Sequence, residues 1–238
     1  MISEIQTAAK LLTPLSIEEI VLNDTNLILR GVNWHFSVVA AWRLIKNDKF
    51  LVGSDLNALD LSHLLKDAAI VDIIPQSSSF PVDPTFLFNN GTILEFFSDA
   101  SFDTWTFQLP DTPLYDFNPY NEPYNKTQPT TKFPEITGLL PLLHDISLEN
   151  DKLILKFNNW KLVVSSSWRF TDQNSNIYGA SEERGKEILP ECKNLSIESV
   201  YVQSHLFPID PILHFSNGIR LEIFSANPDK SWKIMQIH

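Results

Sequence analysis

The residue types that could carry chemistry in this chain are histidines, serines, paired acids and a few arginines. The six histidines, His35, His63, His144, His205, His214 and His238, show no HxxxH or HExxH spacing, so none has the geometry of a metal pair on one helix face. His63 lies at helical spacing from Asp60 and Asp67. That spacing suits an acid–base cluster, but the charged face of a solvated helix is the favoured reading. No GxSxG elbow surrounds a serine, and among only seven glycines no Gly-rich turn opens a helix, which argues against a phosphate or dinucleotide cradle. The single Cys192 can form neither an internal disulfide nor a cysteine zinc site. No catalytic residue, metal or cofactor is therefore expected.

The polar residues that recur are more informative: Arg43 and Arg169, Asp83 and Asp210, Glu95 and Glu222. One reading gathers them into a charged pocket, for a small ligand or for hydrolysis, in a cleft between two copies of a domain. The other pairs each arginine with an acid of its own domain and stacks it on a tryptophan. The structural pairing is favoured, because one guanidinium and two carboxylates suffice for an ion-paired network.

These residues recur because the chain repeats. Residues 27–53, LILRGVNWHFSVVAAWRLIKNDKFLVG, lie over residues 153–179, LILKFNNWKLVVSSSWRFTDQNSNIYG, without a gap. After one added residue, 80–105 lies over 207–232, matching Phe80-Pro81, Asp83-Pro84, Asn90-Gly91 and Trp105 with Phe207-Pro208, Asp210-Pro211, Asn217-Gly218 and Trp232. All six tryptophans fall into matched pairs. A repeat this long exceeds the unit of a solenoid, so each copy is expected to be a domain with its own core. The boundaries expected are 1–107 and 138–238. Residues 108–137 hold six of the 15 prolines and read as an extended linker, with Tyr115, Phe117, Tyr120 and Tyr124 packing it along a surface.

Within each copy, short β-branched and aromatic runs separated by polar turns are the strand pattern. Asn47-Asp48 and Asn90-Gly91 have hairpin chemistry. Strands are expected at Ile70–Ile74 and Ile197–Val202. An inserted helix is expected after a Ser54 or Asp55 cap, with its counterpart starting at Ser181 and ending at Pro190. A further short helix over residues 3–12 is suggested by the capping-box spacing of Ser3 and Gln6. The fold class is α+β and β-rich: two homologous repeats, each an antiparallel sheet or half-barrel with one inserted helix. Tryptophans at alternating strand positions read as core in preference to a sugar platform.

The order Trp, Trp-Arg, Gly, helix, Asp-Pro, Phe-x-Asn-Gly-x-x-Leu-x-Phe hairpin and final Trp resembles small bacterial β-rich domains of uncharacterised function. Some of these sit in toxin–immunity neighbourhoods. The resemblance covers both copies but not the linker, and it implies a fold more firmly than an activity.

Charge narrows the partner. The formal net charge is −11, from 18 basic and 29 acidic residues, which opposes nucleic acid and favours a basic protein. Residues 1–107 hold 13 acids against 6 bases and residues 138–238 hold 12 against 10, so the acidity concentrates in the first copy. Asp55, Asp60, Asp67 and Asp72, on or beside its helix, are the candidate partner-binding residues. With no secretory or membrane-spanning apolar segment, a cytoplasmic protein is expected. The function expected is non-enzymatic binding of a protein, as an immunity protein neutralising a basic toxin. The alternative is a small-molecule-binding or hydrolytic cleft between the repeats. Neither the partner nor any small-molecule ligand is identified by sequence.

Overall fold

The computed structural model describes residues 2–23, 26–54, 61–76, 82–100, 104–116, 142–180, 183–227 and 231–237. Through Asp116 these form helix α1 (Ile2–Lys10) and strands β1 (Leu15–Ser16), β2 (Glu19–Leu22), β3 (Leu27–Gly31), β4 (Trp34–Val38), β5 (Ala41–Lys46) and β6 (Lys49–Gly53). Helix α2 (Leu61–Leu64) follows, then β7 (Ala69–Pro75), β8 (Pro84–Phe88), β9 (Thr92–Phe97), β10 (Trp105–Gln108) and β11 (Tyr115–Asp116). From Leu142 onward come β12 (Asp145–Glu149), β13 (Lys152–Lys156), β14 (Trp160–Val164), β15 (Ser167–Thr171), β16 (Ile177–Gly179), β17 (Ile197–Val202), β18 (Pro211–Phe215), β19 (Arg220–Phe224) and β20 (Trp232–Gln236).

The protein is β-rich, with four antiparallel sheets among the described residues. In the first half one sheet runs β1-β7-β8-β9-β5-β6 and the other β11-β10-β4-β3-β2. In the second half the orders are β17-β18-β19-β15-β16 and β20-β14-β13-β12. Each half thus has two sheets where a single sheet or half-barrel was expected. The chain changes sheet at Val39-Ala40 and at Ser165-Ser166, between strands whose sequences read as one run. Two apolar cores form, one including Phe36, Phe86, Phe96 and Phe107 and reached by Ile177 of the second half, the other including Phe170, Phe215, Leu162 and Leu221. The burial that builds them alternates along β4 and β14, as an amphipathic strand requires.

Turns follow from local chemistry. Asn47 and Asp48 both take positive φ, 52° and 57°, the geometry of a two-residue hairpin turn. At Asn89-Asn90-Gly91 only Gly91 does, at 78°, so this is a three-residue loop closed by a left-handed glycine. Gly218 repeats it at 83°.

Helices depart most from expectation. Helix α1 starts at Ile2, so Ser3 lies inside its first turn, where its carbonyl accepts the Thr7 hydroxyl instead of capping. The Ser54 hydroxyl accepts the Trp42 N–H at 3.2 Å, prolonging the β5–β6 pairing; residues 55–60, where the inserted helix is expected to begin, are not among the described ones. Asp55 and Asp60 lie outside the described residues. In the second half the expected helix is two 3-10 turns, Glu183–Lys186 and Leu189–Cys192. Pro190 sits in the first turn of the second, where its missing N–H costs nothing. The linker expectation is corrected at its start: Gln108 ends β10, Leu109 is buried, and Tyr115 pairs with Phe107 and packs on the first core. Residues 117–141 lie outside the described ones. Among the described residues no helix is long and apolar enough to cross a membrane.

Candidate functional site

The six recurring charged residues converge on one buried cluster between the halves. Arg43 on β5 stands opposite Glu95 on β9, and Arg169 on β15 opposite Glu222 on β19. Arg43 Nε donates to Glu95 Oε2 at 2.7 Å, and Arg169 Nη2 to Glu222 Oε2 at 2.7 Å. The aspartates pair across the halves. Arg43 Nη1 donates to Asp210 Oδ2 at 2.5 Å and Arg169 Nη1 to Asp83 Oδ2 at 2.6 Å. Each arginine thus pairs with the glutamate of its own half and the aspartate of the other. Proline explains the placement: it sets the Asp83-Pro84 and Asp210-Pro211 steps at strand starts, facing the partner half.

Backbone contacts repeat the same reciprocity. Arg43 Nη1 reaches the Ser225 carbonyl and Arg169 Nη1 the Ser98 carbonyl. The Ser98 and Ser225 hydroxyls each donate to the aspartate of their own half, Asp83 and Asp210. The arginines do not stack on tryptophan as expected. The Arg43 guanidinium lies 4.3 Å from the Phe224 ring centroid and that of Arg169 4.4 Å from Phe97. Phe97 and Phe224 then stack on each other, 5.2 Å apart and 4° from parallel. Five of the six tryptophans are instead buried in the two cores, and Trp232 is half-buried.

Two further matched pairs complete the interface. Gln203 Nε2 donates to Gln76 Oε1 at 3.0 Å. Gly53 and Gly179 are each met by a carbonyl of the other half: an added Cβ would sit 2.0 Å from the Ala226 oxygen and 1.5 Å from that of Asp99. Any side chain there would push the halves apart. Contacts made reciprocally by matched residues define an isologous, two-fold-like interface.

The six charged side chains are 0–1% exposed, so solvent screens none of these interactions. Burial alone would lower the pKa of Arg43, but the charges of Glu95 and Asp210 outweigh it and hold the guanidinium above its usual value. Glu222 and Asp83 do the same for Arg169. Burial pushes the Asp83 carboxyl above its ordinary range in spite of Arg169. Among the described residues no group of histidines, cysteines and acids could hold a metal. Cys192 is buried with its thiol pushed up to about 12, first by burial and then by Glu191, so it stays protonated and unreactive.

The acidic residues expected to bind a partner are not gathered in the same way. Asp67 is exposed in the turn after α2, with φ 57°. Asp72 is half-buried on β7 and accepts the N–H of Ile73 at 2.9 Å. His63 is exposed on α2. Sequence reasoning missed Phe97, Ser98, Gln76 and their counterparts. Phe97 and Ser98 match Phe224 and Ser225 inside the aligned block, and identity at those positions was the available signal.

No family model, curated protein or solved structure matches this chain.

Proposed function

We propose that the chain is a non-enzymatic, acidic protein-binding protein of two homologous repeats, 1–107 and 138–238, and that it acts in the cytoplasm as an immunity protein against a basic toxin. The observation that carries this reading is the complete burial of Arg43, Asp83, Glu95, Arg169, Asp210 and Glu222 in ion pairs with one another. Charges that a ligand pocket would present to solvent are consumed in joining the halves. A small-molecule or hydrolytic cleft at this place would need them open and unpaired. The remaining charge excess lies in the first half of the sequence, to which Asp55, Asp60, Asp67 and Asp72 contribute, and an excess of one sign steers a cationic partner.

The test is calorimetric binding to the product of the neighbouring gene, which this reading expects to be a basic toxin, with the wild-type chain and a variant carrying Lys at those four aspartates. The expected result is tight binding that the variant loses by at least about 100-fold, roughly 2.7 kcal/mol. Equal affinity of the variant, or no binding of such a toxin by the wild type, contradicts the reading.

A further inference from the structure

The two halves differ at one sheet edge. In the first half β10 is covered by β11, with Phe107 opposite Tyr115 and Thr106 opposite Asp116. In the second half β20 pairs with β14 alone among the described residues. The position matched to Phe107 is Ile234, and that matched to Thr106 is Lys233.

Hydrogen bonding shows which backbone groups this leaves open. Ser165 N donates to Ser231 O, and Ile237 N to Asn159 O. Alternation in an antiparallel ladder then turns residues 231, 233, 235 and 237 toward β14 and directs the N–H and C=O of Ile234 and Gln236 outward. In the first half the same alternation, set by Val39 N to Thr104 O, turns Phe107 outward, where Tyr115 meets it. An open edge of this kind is a template for another strand.

The side chains beside the edge state what that strand must carry. On the outer face, Lys233 stands opposite Val163, and Met235 opposite Lys161. Lys161 and Lys233 have no carboxylate partner among the described residues, whereas Lys156 is held by Asp145 and Glu149. Met235 is 46% exposed, and Lys233, Met235, Val163, Lys152 and Asp151 border an open hollow of about 540 Å³. On the inner face Ile234 packs half-buried on the second core, as Tyr115 packs on the first.

We infer that β20 binds an extended strand of another protein, one with an aromatic residue opposite Ile234 and a carboxylate opposite Lys233. Tyr115-Asp116 is the internal precedent: an aromatic on the core side and an acid beside it, on the matched edge. On β20 the position opposite the acid is Lys233 where on β10 it is Thr106, so charge complementarity favours this occupant. The β20 edge belongs to the second half and does not depend on the toxin reading.

The probe is a fluorescein-labelled peptide with the sequence of residues 112–117, Thr-Pro-Leu-Tyr-Asp-Phe, titrated against the full chain and followed by anisotropy. Saturable binding is expected that weakens in high salt, falls at least tenfold in Lys233→Glu and is abolished by Ile234→Pro, which removes the outward N–H without touching the β14 pairing. Should Ile234→Pro fail to fold, a peptide N-methylated at its tyrosine makes the same test on intact protein and is expected not to bind. Lysine reversal of Asp67 and Asp72 is expected to leave peptide binding unchanged. No saturable binding up to about 1 mM, or equal binding of the N-methylated peptide, overturns the inference. So does a concentration-dependent doubling of mass that Lys233→Glu abolishes, since the occupant would then be a second copy.

Discussion

The two halves share their inner surface and differ on their outer ones. Toward each other they present the same residues at matched positions: Arg43 and Arg169, Asp83 and Asp210, Phe97 and Phe224, Gly53 and Gly179. Away from each other the similarity ends. The outer face of β2–β4 carries an exposed Glu19–Arg30 ion pair and His35, where the other half has Lys156 and Lys161. One edge is covered by Tyr115, and its matched edge has no further strand among the described residues. The contrast teaches that the recurring charged residues join the halves while the recurring tryptophans fill the cores, and that functions peculiar to this chain belong with what diverges.

The sharpest way to break that comparison is to remove one arginine. Arg43→Met leaves Glu95 and Asp210 as buried charges without a counter-ion, and a loss of about 3–5 kcal/mol is expected in urea unfolding. Arg169→Met should cost a similar amount, because its contacts are the reciprocal ones. A large cost for one arginine and a negligible one for the other would show that the halves are not equivalent.

A smaller effect sharpens the difference between them. His214 on β18 stands where the first half has Leu87. Burial, followed by repulsion from Arg220, lowers its pKa to about 4, and its ring lies 5.1 Å from Tyr201. With the folded value depressed below the unfolded 6.5, its contribution is full above about pH 6.5 and is lost as pH falls toward 4. At most about 3 kcal/mol is involved, from 1.36 kcal/mol per pH unit. His214→Leu, which installs the first half's residue, should remove this part of the acid sensitivity in urea titrations between pH 7 and 4. An unchanged pH profile would place the acid sensitivity elsewhere.

Strands and hairpins were legible in the sequence because period-2 burial and turn chemistry are local. Asn47-Asp48 and the strands Ala69–Pro75 and Ile197–Val202 needed only their neighbours. The inserted helix of the first half was legible in part, as α2, but that of the second was not: close packing of Gly185 on the Gly179 carbonyl and the position of Pro190 leave only 3-10 turns there. The six charged residues stood out because they recur. Which acid met which arginine was hidden, since the Arg43–Asp210 pair spans 167 residues and depends on how the halves meet. Nor could the sequence distinguish a tryptophan from a phenylalanine as the ring beneath each guanidinium, because the Phe97–Phe224 stack exists only once the halves are joined.

The central claim is that Arg43 and Asp210 act on each other across the halves. A double-mutant cycle in urea unfolding with Arg43→Met and Asp210→Leu measures it directly. The double variant is expected to lose less than the sum of the single losses by at least about 1.5 kcal/mol, within the range for contacting residues. Additivity to within about 0.5 kcal/mol, as found for independent sites, would contradict the account.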